Sequence, residues 1–293
     1  MKLSRRRFLG AMAAARAASA EDGRFTKSIC SVIFPPKTPL SKMFADAKAA
    51  GFDAIELRLD VDLFTAADAG SMARDHGLQI ASLWVSKALG EHPLNSPDAS
   101  VRAQGVADIQ RAADVAAGIG CGALLLVPGQ IGHGAKLFAG YEETWKRFTD
   151  ELTKCIPAAA NRRVLLTVEN VWNLFLMSPT EMRSFVDQFH SPWLQAHFDM
   201  GNVLRFGYPE DWVRTLGPRI RRVHVKDFRL RHGMEAGHFV PLLTGDVNFQ
   251  AVMTALRDAG YRGFLSPEIN YDANEPDQLA AVSKQLDRII AMA

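Results

Sequence analysis

Eight short apolar runs recur along the chain, separated by longer segments in which apolar residues return at helical spacing. The runs are 28–34, 54–59, 79–85, 122–128, 164–170, 194–199, 220–227 and 263–269. Most are continuous rather than alternating in apolar residues, as in strands covered on both faces, and so predict a parallel sheet. The segments between them carry helix signals. A predicted helix over 40–50 stops at Gly51 and one over 67–76 at Gly77, glycines suited to a left-handed C-cap. Segment 100–118 places Val106, Ile109, Ala113 and Ala116 on one face. Segment 141–161 follows, then 179–189, where Ser178 is the expected N-cap, Pro179 the first helical residue and Glu181 the partner in a capping box. Segments 249–260 and 276–292 complete the predicted helices.

Strands alternating with helices predict an α/β fold, and eight such units predict closure into a single (β/α)8 TIM barrel. An open doubly wound sheet would bind a nucleotide at a Gly-rich first turn. Here the first run leaves through Phe34-Pro35-Pro36-Lys37, and neither GxGxxG nor a P-loop occurs. The 293 residues would allow two average domains or one large barrel. No linker or low-complexity tract divides them, so the expectation is one barrel over residues 21–293.

Composition changes this picture at one end only. With 48% hydrophobic and 23% charged residues, the chain is neither disordered, collagen-like nor a disulfide scaffold. No apolar run reaches the roughly 18 residues of a membrane span, which argues against stable membrane anchoring. The net charge of +2 is unevenly spread. Residues 1–20 carry Lys2, Arg5, Arg6, Arg7 and Arg16 and no acid, and the rest of the chain sets 29 bases against 32 acids, a balance of −3. Ser4-Arg5-Arg6-Arg7-Phe8-Leu9-Gly10 resembles a twin-arginine leader, and Ala18-Ser19-Ala20 supplies a cleavage site. Arg16 interrupts its apolar segment, and a solvated basic tail is the alternative. The expected location is periplasmic if the leader works, otherwise cytoplasmic. Cys30, Cys121 and Cys155 match no CxxC or zinc-ribbon spacing, and Cys30 and Cys121, within apolar runs, read as buried small hydrophobes.

In a barrel, chemistry gathers at the C-terminal strand ends. The last four predicted strands end in ionisable residues: Glu169-Asn170, His197-Phe198-Asp199, His224-Val225-Lys226-Asp227 and Pro267-Glu268. Glu169, Asp199, His224 and Glu268 would then converge at the mouth. Three carboxylates and an imidazole make a hard site suited to one divalent ion, Mn²⁺ first, with Mg²⁺ or Co²⁺ as alternatives. Without a cation, three carboxylates in one pocket would raise one another's pKa. Each residue taken singly has a plainer reading, as a helix cap, a loop ion pair or a core histidine.

The motifs Val168-Glu169-Asn170-Val171-Trp172-Asn173, Phe198-Asp199-Met200-Gly201-Asn202, His224-Val225-Lys226-Asp227 and Pro267-Glu268 together resemble the xylose-isomerase-like barrels. That family includes sugar and sugar-phosphate isomerases, 3-epimerases, hydroxypyruvate isomerase and inosose dehydratase. Gly245-Asp246-Val247-Asn248-Phe249 is similar to a further family segment. The resemblance implies that Glu169, Asp199, His224 and Glu268 hold the metal and that Glu169 and Glu268 double as acid/base groups. A chelated keto sugar would lose a proton to form a cis-enediolate. Lys226 matches the family lysine and would bind a substrate oxygen or form a surface salt bridge. Asn202 and Trp172 would line the pocket. Glu56 would bind substrate or hydrogen-bond within the barrel, and His133 would be an extra base or a plain loop residue. His76, His92, His190 and His232 read as surface residues.

The expected function is a metal-dependent isomerase or 3-epimerase acting on a small-molecule sugar, with a homo-oligomer left open. A 3-keto-glycoside lyase on the same metal site is the alternative, and His133 as a base would favour it. A nuclease related to AP endonucleases would need more metal ligands. The N-terminal strand ends offer Pro35, Arg58 and Ser86 instead, and a balance of −3 gives no nucleic-acid footprint. The full quartet argues against a non-catalytic sugar-binding protein.

Overall fold

Eight parallel strands close on themselves in the computed structural model, which describes residues 25–59, 63–85, 90–133, 136–231 and 237–293. The expected leader, Ser86 and His232 lie outside them. The barrel strands are β1 (Thr26–Cys30), β2 (Ala54–Leu59), β3 (Gln79–Val85), β4 (Ala123–Leu126), β5 (Leu165–Glu169), β6 (Leu194–Asp199), β7 (Ile220–Val225) and β8 (Phe264–Pro267). Closure is made by β1, which pairs with β8 through Thr26 and Lys27 and with β2 through Ser28 to Cys30. The helices between and after them are α1 (Leu40–Ala49), α2 (Leu63–Asp75), α3 (Ala99–Ile119), α4 (Tyr141–Arg162), α5 (Pro179–Asp187), α6 (Pro209–Leu216), α7 (Phe249–Asp258) and α8 (Gln278–Ile290). Among the described residues, no helix is long and apolar enough to cross a membrane.

The local signals work as expected where they are strongest. Ser178 accepts a hydrogen bond from Glu181 N, and the Glu181 carboxylate reaches back to Met177 N. The serine half of the expected capping box forms, while the glutamate caps the residue before Ser178 instead, and together they set the start of α5. Gly51 and Gly77 take left-handed φ of +86° and +65° just past α1 and α2. Cys30, Cys121 and Cys155 are free and buried.

Three expectations need correction. The first strand ends at Cys30 rather than running to Phe34, because Ser31–Ile33 coil into a 3-10 turn closed by Phe34 N on Ser31 O. Ile33 and Phe34 are buried all the same, so the apolar run outlasts the strand. The sequence reading placed no helix between β6 and β7. Yet α6 is there, preceded by one turn at Met200–Val203. Only four of its eight residues are buried, and this length is too short for a decisive period. Two small antiparallel hairpins, Gly132–His133 with Lys136–Leu137 and Asp227–Arg229 with His238–Val240, also escaped the pattern.

Packing fixes the loops that carry the site. Phe175, in the loop after β5, is fully buried and packs edge-on to Phe148 and Phe185, with centroids 6.2 and 5.9 Å away. Asn173 in the same loop donates to the carbonyls of Pro128 and Gly129 at 2.8 Å each and accepts from Phe175 N. The loop is thus tied to α4, α5 and the β4 exit, which holds its first residues over the barrel mouth.

Candidate active site

Strand register brings the four candidate ligands together. Asp199, the last residue of β6, is the ladder partner of His224 on β7, and Ser266 on β8 is the other partner of His224. Glu169 ends β5, and Glu268 follows β8 by one residue. One ligand atom from each of the four lies within 4.8 Å of every other. His224 Nδ1 is 2.9 Å from Glu169 Oε1, 3.2 Å from Glu268 Oε2 and 3.7 Å from Asp199 Oδ2.

Glu56 enters from below. It sits in β2, fully buried, and its Oε1 accepts from His224 Nε2 at 2.6 Å while Ser82 donates to its other oxygen. That leaves the Nδ1 side of the imidazole facing the three carboxylates. Of the two roles foreseen for Glu56, the geometry displays the hydrogen bond within the barrel. Asn170 fixes the neighbouring strand end: its amide donates to Asp199 O and accepts from Asp199 N, at 2.8 and 2.9 Å.

Burial and charge act against each other here. Burial would raise the Glu56 carboxyl, but His224 and the hydrogen bonds to it hold it at about 2. Burial wins at Glu169, pushing it up to about 7 against the pull of His224. At Glu268 burial is outweighed by Lys226 and His224, so its carboxyl is held well below the usual range. Burial disfavours the charged forms of His224 and Lys226. The surrounding carboxylates outweigh it and raise both.

Those residues fit a divalent cation. The donors are three hard carboxylates and one oriented imidazole. Asp199 Oδ2 is buried and makes no hydrogen bond; its nearest cation is Lys226 Nζ, 2.9 Å away. Lys226 also meets Glu268 Oε2 at 2.5 Å, and only 15% of its side chain is exposed. Its ion pairs therefore lie inside the mouth, which corrects the surface-salt-bridge reading.

The remaining candidates fall in different places. Asn202 is buried, its backbone N–H on Asp199 Oδ1 and its amide on Asn170 O, so its polar groups serve the loop itself. Trp172 donates to Asn202 O, stacks on Phe239 at 5.1 Å and meets Phe228 edge-on. It stays partly exposed and forms an aromatic rim beside the cluster. His133 lies in the hairpin after β4, but its side chain is outside the described residues and lends nothing to the lyase reading. His190 is exposed, whereas His76 and His92 are half-buried and His92 bonds Asp108 at 2.7 Å.

Sequence reasoning missed Ser82, Asn170 and Phe239. Ser82 had a usable signal, a lone hydroxyl within the apolar run Ile80-Ala81-Ser82-Leu83. Asn170 stood in a quoted motif without a role. Phe239 had no local signal, since the hairpin carries it to the site.

Comparison with known proteins agrees with this fold. In sequence, the chain is 28% identical over 258 residues to the L-ribulose-5-phosphate 3-epimerase UlaE of Escherichia coli O1:K1, covering 84% of this chain and 87% of the relative. In structure, it resembles a D-allulose 3-epimerase from Methylomonas sp., with a TM-score of 0.74 and 20% identity over 92% of this chain and 98% of that one. It also resembles an L-ribulose 3-epimerase, with a TM-score of 0.72 and 22% identity over 91% and 93% of the two chains. Residues 44–289 match a family model, and the chain belongs to the xylose isomerase-like TIM barrel family.

Proposed function

We propose that the chain is a divalent-metal-dependent isomerase of keto sugars, of the 3-epimerase type, with Glu169 and Glu268 as its acid/base pair. The observation that carries this reading is the convergence of Glu169, Asp199, His224 and Glu268 within 4.8 Å at the ends of four successive strands. The names of the relatives, sugar and sugar-phosphate 3-epimerases, support it.

The four residues would hold the ion, with Mn²⁺ the expected metal. When bound, it supplies Lewis-acid polarisation of the substrate carbonyl. The chain's own groups handle the proton. Glu169 ends β5 and Glu268 follows β8, with β6 and β7 between them, and in this reading the two carboxylates would meet a planar enediolate from opposite faces. One carboxylate breaks the C–H bond beside the carbonyl and leaves the electron pair in an enediolate. The other returns a proton to the opposite face and inverts that carbon. Glu56 holds His224 in place, and the partly exposed Trp172–Phe239 stack flanks one side of the mouth.

Metal analysis followed by solvent deuterium exchange into a panel of ketoses tests this. We expect one divalent ion per chain and deuterium at the carbon next to the carbonyl. Glu169→Gln should slow exchange by about 10²–10⁴-fold. Full exchange by metal-free protein, or by the Gln variant, would sink the reading. In the same reading the leader sends the protein to the periplasm, and cell fractionation should find an Arg5→Lys/Arg6→Lys variant retained in the cytoplasm.

A further inference from the structure

A cavity of about 540 Å³ opens directly from the candidate active site. Lys226, Glu268 and Phe239 belong to both. From there it extends between the hairpin after β7 and α8, lined by Asp272 and Glu275 from the segment before α8 and by Gln285 on the helix itself. Its volume falls within the roughly 300–1,000 Å³ of cavities that enclose drug-sized ligands. The space therefore serves a part of the substrate away from the reacting carbon.

The chemistry of the wall limits what that part can be. Among the described residues lining the cavity, Lys226 is the one cation, and Asp199 and Glu268 already share its ammonium. Asp272 and Glu275 add carboxylates. The described residues of the wall offer a phosphate no guanidinium fork and no further ammonium, and their carboxylates repel a dianion. Carboxylates and the amides of Asn270 and Gln285 can instead accept from and donate to sugar hydroxyls. The exposed part of Phe239, beside Val240 and Pro241, adds apolar surface for the C–H groups of a pyranose.

We infer that this cavity is a subsite for a neutral, hydroxyl-rich extension of the substrate, a glycosyl group rather than a phosphate. The inference rests on the keto-sugar reading above and narrows it to ketoses that carry a second sugar ring at the far end.

Three probes that share one reacting end separate the alternatives: fructose, isomaltulose (fructose with a glucosyl group on its 6-hydroxyl) and fructose 6-phosphate. Each is titrated calorimetrically into the manganese-loaded full chain. Isomaltulose should bind at least fivefold more tightly than fructose, and fructose 6-phosphate more weakly than either. Glu275→Lys should lower the isomaltulose preference over fructose about fivefold and strengthen fructose 6-phosphate binding. The inference is overturned if isomaltulose binds no more tightly than fructose, if the phosphate binds best, or if the preference is indifferent to Glu275→Lys. Deuterium exchange at C3 of the same sugars reports the epimerase reading separately. Exchange with a reversed ranking defeats the subsite alone, and the expected ranking without exchange defeats the epimerase reading alone.

Discussion

The His224 imidazole is gripped from both sides, by Glu56 at Nε2 and by the Glu169 and Glu268 carboxylates around Nδ1. A carboxylate behind a ligating histidine sets both tautomer and ring angle, and its loss typically costs about 10–100-fold in metal affinity. Glu56→Gln should therefore weaken manganese binding by that factor in calorimetry, while circular dichroism shows the barrel intact. The same pair has a pH signature. His224 is raised above its usual value in the metal-free protein, so its stabilising contribution is full below about pH 6.5 and fades as pH rises through the folded value. A cation needs the neutral ring, so apparent metal affinity should rise with pH and binding should release protons. Buffers of different ionisation enthalpy measure that release. Glu56 runs the other way: held at about 2 against an ordinary 4.5, its contribution is present above pH 4.5 and is lost as pH falls toward 2. The metal-free protein should lose stability across that window, and Glu56→Gln should lose less. A pH-insensitive metal affinity would contradict the assignment of His224 as a ligand.

At the scale of elements, the motifs mostly hold loops in place. The buried Asp227 carboxylate accepts from the backbone N–H of Phe228, Thr244, Gly245 and Val247, at 2.7 to 3.2 Å. It pins the hairpin that carries Phe239 to the segment leading into α7. Gly245 lies so close to Asp227 that a Cβ would run into the carboxylate and into Phe228 O. The Gly-Asp-x-x-Phe pattern was legible in the sequence. Its cause was not, because the partner lies 18 residues upstream across a hairpin. Gly201 repeats the theme, since a Cβ there would sit 2.5 Å from Lys226 Cβ. Asp227→Ala should cost about 3 kcal/mol or more in urea unfolding, as several buried N–H groups lose a charged acceptor. Gly245→Ala should destabilise too, and by less if the carboxylate can swing aside. Neutral behaviour of both variants would mean that the clamp carries no weight.

For the whole molecule, the charge and the metal matter most. The +5 of residues 1–20 belongs to the expected leader, so the barrel itself is slightly acidic, and three of its carboxylates meet at the mouth. A divalent ion held by Glu169, Asp199, His224 and Glu268, as proposed, would link folding to binding: at a free concentration of 100 Kd it would add about 2.7 kcal/mol. For a chain of this size that is a rise of several degrees in Tm, at roughly 2–4 °C per kcal/mol. Chelation should lower the melting temperature by that amount, and re-addition of manganese should restore it. His224→Ala should melt at one temperature with or without metal. A shift preserved in that variant would place the ion elsewhere.

Barrel topology was determined by the sequence, because continuous apolar runs and glycine stops are local signals that survive without knowledge of contacts. The four acidic and imidazole strand ends were legible for the same reason, since a barrel places every C-terminal strand end on one face. Residues whose role depends on a distant partner were decided by tertiary structure alone. Glu56 meets His224 across 168 positions of sequence, Asn170 meets Asp199 across 29, and Phe239 reaches the site only through its hairpin. The cavity beside Glu268 belongs to this second kind. It is the space left between a hairpin and a helix after both have packed, and no periodicity in the chain encodes its volume or its charge.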